Sequence, residues 1–295
     1  MEILNQNSPY PTEVALILGY FDGVHIGHKA VIKSAVDFAK SMCKKTLLIT
    51  FNPSPAEYFY NKQILIFERE YSYKLIEELG VDYLLEVDFT KIANISAEEY
   101  LKKFLIEKFR PISISTGCNH TFGANRQGNS ELLKEYSKEF NYNYFCVSSH
   151  EIDTEIVSST LIKDYIQKGE VEQANKLLGK EFLLTSEVTT GLQIGRKIGF
   201  PTANLDYPKD IVKLPYGVYV VEVFNKKAIM NWGVKPTIGG EEAPILEVHI
   251  PKISIDLYGK ILNIKVIKKI RNEKKFNSLD ALQKQIFKDI EECLK

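Results

Sequence analysis

The stretch GYFDGVHIGH at 19–28 concentrates side chains that can do chemistry. It follows the aliphatic run VALIL (14–18) and leads into HKAVIKSAVDFAKSM, which reads as an amphipathic helix. Gly19 after a strand permits close backbone approach, and Asp22-Gly23 signals a turn. Gly27 lets a phosphate-bearing ligand approach the free N–H groups that open the next helix. His25 and His28, three apart at that helix start, are placed to donate to an α-phosphate or to the oxygen leaving with pyrophosphate. The alternative is a tight turn whose histidines merely cap the helix. The spacing fits neither GxxxxGK[ST] nor GxGxxG, so neither a P-loop ATPase nor a dinucleotide-binding Rossmann domain follows.

A second concentration is GRKIGFPTANLD at 195–206. Gly195 and Gly199 allow backbone approach, and Pro201 stiffens the chain ahead of Thr202. The Thr202 hydroxyl suits a divalent cation or a phosphate oxygen, and Asn204 can share that shell. Glu247 is the acidic residue of an otherwise apolar strand, ILEVHI (245–250). Pointing inward it is costly unless it serves the chemistry. The bland alternative is a solvent-facing position, because alternation sends Leu246 and Val248 to the other face.

Two kinds of scaffold must position these groups. Over the first 180 residues short aliphatic runs, VALIL, TLLIT (46–50), YLLEV (83–87), PISIS (111–115) and YFCVS (144–148), alternate with helical patterns. Ser96 with Glu99 forms a capping box for one of those helices. This alternation predicts a parallel sheet covered on both faces, with ligands beyond the C-terminal strand ends, where 19–28 and 117–128 fall. From Leu183 the strands YGVYVVEVF, KKAIMNWGV, PILEVHI and KILNIKVIKKI are separated by short turns, which predicts a small closed antiparallel barrel. Leu279, Leu282, Ile286 and Ile290 give a terminal helix a core-facing stripe. The boundary falls near 180–186.

With 295 residues, 44% of them hydrophobic, the chain can bury two cores. Lys+Arg and Asp+Glu are 38 each, and the balance argues against a nucleic-acid-binding role. Cys43, Cys118, Cys146 and Cys293 form no CxxC pair and read as buried small residues in a reducing compartment. No signal peptide and no apolar run of about 18 residues is present, so a cytoplasmic protein without membrane contact is expected.

GYFDGVHIGH resembles the signature of bacterial FAD synthetases, within the nucleotidyltransferases that carry HxGH. The resemblance continues through TFNPSP (50–55), GCNHTFGANRQGN (117–129) and VSSTLIKDYIQKGEVEQANKLLG (157–179). It implies that His25 and His28 hold a triphosphate during adenylyl transfer without a covalent intermediate. It also implies a nucleotide site from Gly19, Phe21, Asp22, Gly23, Gly27, Ser158, Ser159 and Thr160, with Asn119, Phe122 and Arg126 toward the flavin. Residues 187–295 resemble the riboflavin kinase module of the bifunctional bacterial enzymes, through GRKIGFPTANL, PYGVYVVEV, NWGVKPT, LEVHI, DLYGK and the closing segment. Here the resemblance implies nucleotide contacts from Gly195, Arg196, Gly199, Pro201, Thr202 and Asn204. Mg2+ would sit on Thr202 and Asn204, Glu247 would be the general base, and Arg271 would contact or close over the flavin.

The fold class implied is α/β: a Rossmann-like nucleotidyltransferase domain with a parallel sheet (1–182), then a small antiparallel barrel with a terminal helix (183–295). The substrates implied are ATP, riboflavin and FMN, with FAD as product. Beyond these small molecules, weak self-association is left open. The first half departs from the family pattern at Ser54, Asn119, His120 and Leu161, the last replacing a phosphate-facing arginine. The leading reading is therefore a bifunctional enzyme. The alternatives are a riboflavin kinase with a decayed partner domain, an FAD synthetase alone, and a non-enzymatic flavin-responsive regulator.

Overall fold

Strands buried on both faces need continuous aliphatic runs, and the central strands have them. In the computed structural model, which describes residues 1–5, 8–61, 64–190, 199–236, 242–251 and 257–294, β1 (Glu2–Leu4), β2 (Ala15–Leu18), β3 (Thr46–Phe51), β4 (Tyr83–Val87), β5 (Ser113–Gly117) and β6 (Asn143–Val147) form one sheet. Its order is β1-β4-β3-β2-β5-β6, and every pairing is parallel. All residues of β2 and β3 are buried, whereas the edge strand β6 is only partly covered. The chain moves outward from β2 to β3 and β4, then returns to place β5 on the other side of β2. That reversal opens a crevice at the carboxyl ends of β2 and β5.

Helices cover the sheet as the apolar spacing requires. Helix α1 (Ile26–Ser41) buries Val31, Ile32, Ala35, Val36 and Ala39. Helices α2 (Pro55–Tyr60) and α3 (Arg69–Glu78) follow β3. Ser96 accepts from the Glu99 N–H at 3.1 Å and opens α4 (Ala97–Glu99), which runs through a π-helical stretch into α5 (Glu107–Phe109). Helix α6 (Ser130–Glu139) precedes β6, and a small hairpin of β7 (Glu151–Ile152) and β8 (Glu155–Ile156) precedes α7 (Ser159–Lys168) and α8 (Val171–Leu178).

The second architecture is a closed antiparallel barrel of β9 (Phe182–Thr189), β10 (Ala203–Leu205), β11 (Gly217–Val223), β12 (Lys226–Pro236), β13 (Glu242–His249) and β14 (Ile261–Asn272). Its order is β10-β13-β12-β11-β14-β9, closed by the pairing of β9 with β10. Strand β11 has both faces occupied. Tyr219 and Val221 fill the barrel, while Val218 and Val220 pack outside with Ile229, Ile290 and Cys293, under helix α9 (Leu279–Leu294). The expected stripe of α9 is corrected at its start. Leu279 is exposed and Leu282 and Ile286 are only half-buried, because that end of the helix borders a cavity.

The chain divides into two compact units, Met1–Ser159 and Thr160–Lys295. Helices α7 and α8, between that division and the change of sequence rhythm near 180–186, lie mostly or wholly in the second unit. Asn175 of α8 docks there, its amide donating to the Val266 carbonyl at 2.9 Å and accepting from the Phe182 N–H at 2.7 Å. The cysteines also correct the sequence reading. Cys118 and Cys146 form a disulfide, both are exposed, Cys43 is exposed, and only Cys293 is buried. β5 and β6 are neighbours, so the ends of the two strands bring Cys118 and Cys146 together from 28 residues apart.

Candidate active sites

The first site is built on the turn from β2 into α1. Phe21 and Gly23 both have left-handed φ, 56° and 80°. A side chain at Gly23 would also meet Ile66 Cδ1 at 2.8 Å, so the aspartate–glycine turn needs its glycine. Buried Asp22 braces the loop, its Oδ1 accepting from the Ile66 N–H at 2.9 Å. The Ser159 hydroxyl donates to the Asp22 carbonyl at 2.9 Å, which ties the serine–serine–threonine segment to this loop. Ser158 is half-buried and Thr160 exposed beside it. Gly19 lies under the Phe21 ring, and Gly27 lies against the His25 ring.

His25 is buried and caps α1, its Nδ1 accepting from the His28 N–H at 3.3 Å. The two imidazoles stack with centroids 3.6 Å apart and planes at 17°. Burial, with smaller contributions from Lys29 and His150, lowers the His25 pKa to about 4. Burial and then His25 hold His28 well below the ordinary value. Both rings are therefore neutral at pH 7. Because Nδ1 of His25 accepts, its proton sits on Nε2, which makes that nitrogen a donor. The capping role and the donor role coexist in one ring.

Beyond β3 and β5 opens a pocket of about 770 Å³. Its walls include Tyr20, Phe51, Phe59, Phe89, Tyr100, Phe122 and Arg126, a largely aromatic lining suited to a flat ring. Phe122 and Arg126 thus stand together as expected, but Asn119 is exposed and is not among the lining residues. Ser54 lines the pocket and caps α2, accepting from the Glu57 N–H at 2.9 Å within a full capping box. His120 lines it too. Burial lowers its pKa to about 4, and its Nε2 is buried without a hydrogen-bond partner among the described residues.

The second site lies on the outer face of the barrel, where a pocket of about 330 Å³ opens. Leu246 and Val248 are fully buried inside, so Glu247 and His249 face outward. Outward is not solvent here. Both residues are half-buried and line the pocket with Thr202, Asn231 and Arg271. Asn204 and Asn231 flank Glu247 as register partners on β10 and β12. Asn204 is buried and its Oδ1 lacks a hydrogen-bond partner among the described residues. Gly199, exposed, has φ 86°, and Pro201 is exposed before half-buried Thr202. Gly195 and Arg196 fall outside the described residues.

Arg271 is not a loose basic strand end. Its Nε donates to both oxygens of Asp289 at 3.1 Å, and its Nη2 to Oδ2 at 2.8 Å. Asp289 is buried, and Gln285 adds a third donor group at 2.8 Å. The guanidinium lies 5.8 Å from the Phe276 ring centre. Asp289, Asn231 and His249 were not picked out in the sequence. All three lie within segments that carry the family resemblance, NWGVKPT, LEVHI and the closing segment, and the part Asp289 plays shows only in its pairing with Arg271.

A histidine pair at a helix start beside a sheet crevice, and a carboxylate near a proline–threonine–x–asparagine turn on a barrel, define a two-domain enzyme of nucleotide-dependent group transfer. The known proteins agree. Residues 7–161 match the FAD synthetase family and residues 178–295 the riboflavin kinase family. A bifunctional riboflavin kinase/FMN adenylyltransferase of Buchnera aphidicola subsp. Schizaphis graminum is 36% identical, over 98% of this chain and 93% of its own. The Escherichia coli K12 protein of the same description is 32% identical, over 93% and 90%. A crystal structure described as a macrolide-efflux protein from Streptococcus pneumoniae has a TM-score of 0.90 at 29% identity, covering 100% of this chain and 99% of that one. The chain belongs to the bifunctional riboflavin kinase/FMN adenylyltransferase family. Among the described residues no helix is long and apolar enough to cross a membrane.

Proposed function

We propose that riboflavin is phosphorylated to FMN by the kinase domain at 183–295 and that FMN is adenylylated to FAD by the domain at 1–182, each with its own ATP. The chain is an enzyme with the two domain families in the order of its bifunctional relatives. One observation supports the two-step reading: each unit has its own pocket, with the histidine pair in the first unit and Glu247 in the second.

In the kinase step Glu247 takes the proton of the ribityl 5′-hydroxyl as that oxygen attacks the γ-phosphorus, and ADP leaves. Thr202 and Asn204 orient the phosphates. Their hydroxyl and amide oxygens are the hard donors that Mg2+ prefers, and the Asn204 side-chain Oδ1 has no hydrogen-bond partner among the described residues that such an ion would displace. Among the described residues no cluster of three or more His, Cys, Asp or Glu side chains is set to hold a metal. The remaining ligands would be phosphate oxygens and water, as is usual for Mg2+. When bound, the ion neutralises charge on the transferred group. Arg271, held by Asp289, forms one wall for the flavin.

In the adenylylation step an FMN phosphate oxygen attacks the α-phosphorus of ATP and pyrophosphate departs. His25 Nε2–H and His28 stabilise the charge developing on the α-phosphate and leaving oxygens, with the N–H groups of the α1 start. A bound triphosphate favours the protonated rings, offsetting the burial that keeps them neutral when alone. Phe122 and Arg126 face the flavin in the aromatic pocket. The setting we propose is the cytoplasm, with weak self-association at most. A chromatographic time course of riboflavin with MgATP tests the whole reading. FMN should rise first and FAD follow. FMN as the sole product would leave a kinase only, and FAD from added FMN but not from riboflavin an adenylyltransferase only.

A further inference from the structure

The segment that carries Thr202 is held by little backbone pairing. The ladder between β10 and β13 runs through Ala203–Val248, Asn204–Glu247 and Leu205–Leu246, and β10 begins only at Ala203. Pro201 has no N–H to extend the ladder by donation. Gly199 has φ 86°, and a side chain there would meet nothing within 4 Å among the described residues. Yet Thr202 must stay at the wall of the pocket that Glu247 also lines if it is to orient phosphates.

One side chain takes over where the ladder stops. His249 lies two residues beyond Glu247 on the same outer face of β13, and its Nδ1 is 2.8 Å from the Pro201 carbonyl oxygen. A carbonyl only accepts, so the ring proton sits on Nδ1 and His249 donates. The same imidazole meets Phe200 edge to face, with centroids 5.7 Å apart, and Phe200 packs in turn on Phe287 of α9 at 5.0 Å. The residues on either side of the Pro201 peptide thus have different anchors: Phe200 by its ring, Pro201 by its carbonyl.

We propose that His249 is a positioning residue of the kinase site, which holds the Pro201 carbonyl through Nδ1–H and thereby fixes Thr202 against the nucleotide phosphates. The inference rests on the reading of Thr202 as a phosphate and metal contact. It assigns His249 no proton transfer: Glu247 remains the base, and the imidazole acts through its hydrogen bond. A histidine that touched substrate would use Nε2, whereas one that holds the turn needs Nδ1. Asparagine places its amide N–H where Nδ1 sits, and glutamine places it where Nε2 sits. The two substitutions therefore separate the roles.

Initial rates of riboflavin consumption by the full chain isolate the first step. His249→Ala should raise KM for ATP about three- to tenfold, the loss of one neutral hydrogen bond. KM for riboflavin and kcat should stay within about twofold, a split that general loss of structure would not produce. His249→Asn should recover most of the ATP affinity, and His249→Gln should not. Independently of turnover, the 15N spectrum of the histidine-labelled wild-type chain, with His249 assigned by its absence in His249→Asn, should show the ring protonated at Nδ1. Rescue by Gln but not Asn, an unchanged KM for ATP in His249→Ala, or an Nε2–H tautomer would each overturn the proposal. A wild-type chain that consumes no riboflavin would sink the kinase reading instead, and the tautomer would still decide the His249 contact.

Discussion

Asn204 and Glu247 face each other directly across β10 and β13, which sets a buried amide oxygen without a hydrogen-bond partner among the described residues beside the acidic residue of the barrel's outer face. A buried acceptor left open costs about 1–3 kcal/mol. Such an arrangement is stable in the free enzyme only at a cost, and ligands that bring cations and hydroxyl donors relieve it.

Glu247→Gln keeps the strand and its side-chain shape while removing the base. Riboflavin phosphorylation should fall about 10²-fold or more in kcat, with the melting temperature held. Steady-state kinetics on riboflavin and circular dichroism check the two halves. Wild-type turnover in the glutamine variant would reject the general-base role.

The histidine pair belongs to the first unit and the carboxylate to the second, so the two reactions should separate by mutation. His28→Ala removes one ring of the stack and should abolish FAD formation from FMN, while riboflavin consumption stays near wild type. Assay of both reactions on one folded preparation decides it. A matched loss of both activities would mean that the constellations do not act independently.

Acid should weaken the first unit through its histidines. Burial places the folded pKa of His25 and of His120 at about 4, against an ordinary 6.5, and His28 lies well below it. Between those limits the unfolded chain binds more protons than the folded one, so stability rises with pH across the window. It should begin to fall as pH drops through about 6.5 and level off only below the folded values, His25 and His120 each contributing on the order of 3 kcal/mol. His120→Phe deletes one titrating ring together with a buried nitrogen that has no partner among the described residues. It should stabilise the unit at pH 7 by about 1–3 kcal/mol and make the acid loss shallower. Urea unfolding of both proteins from pH 7 to pH 4 tests this, and parallel curves would refute it.

Much of this arrangement is legible from the chain. Parallel strands buried on both faces leave aliphatic runs such as VALIL, and alternation in ILEVHI puts Glu247 opposite the core. What alternation does not tell is that the outer face carries a cavity, because Phe276, Ile286 and Asp289 arrive from sequence far beyond β13. The Cys118–Cys146 disulfide escapes for the same reason, since it depends on β5 and β6 being neighbours. Ser54 shows the opposite case. Weighed against the family pattern it reads as a lost histidine, yet serine followed three residues later by glutamate is a helix-start signature, and Ser54 caps α2 in that way.

The last expectation concerns Arg271, which the structure ties to Asp289 with three hydrogen bonds. The carboxylate side chain is 4% exposed and the guanidinium side chain 22%. Breaking such a pair leaves a charge poorly solvated, at a cost of about 3–5 kcal/mol, and the partial exposure of Arg271 puts the loss toward the lower end. Asp289→Leu should therefore destabilise the barrel unit by about 3 kcal/mol and raise KM for riboflavin. Removing both charges in Arg271→Leu/Asp289→Leu leaves no uncompensated ion, so most of the stability should return. The two readouts then part company. If Arg271 is a flavin wall, the double variant regains its melting temperature but keeps the high KM. If the pair only fastens α9 to β14, riboflavin affinity returns with stability, and the flavin role of Arg271 is rejected.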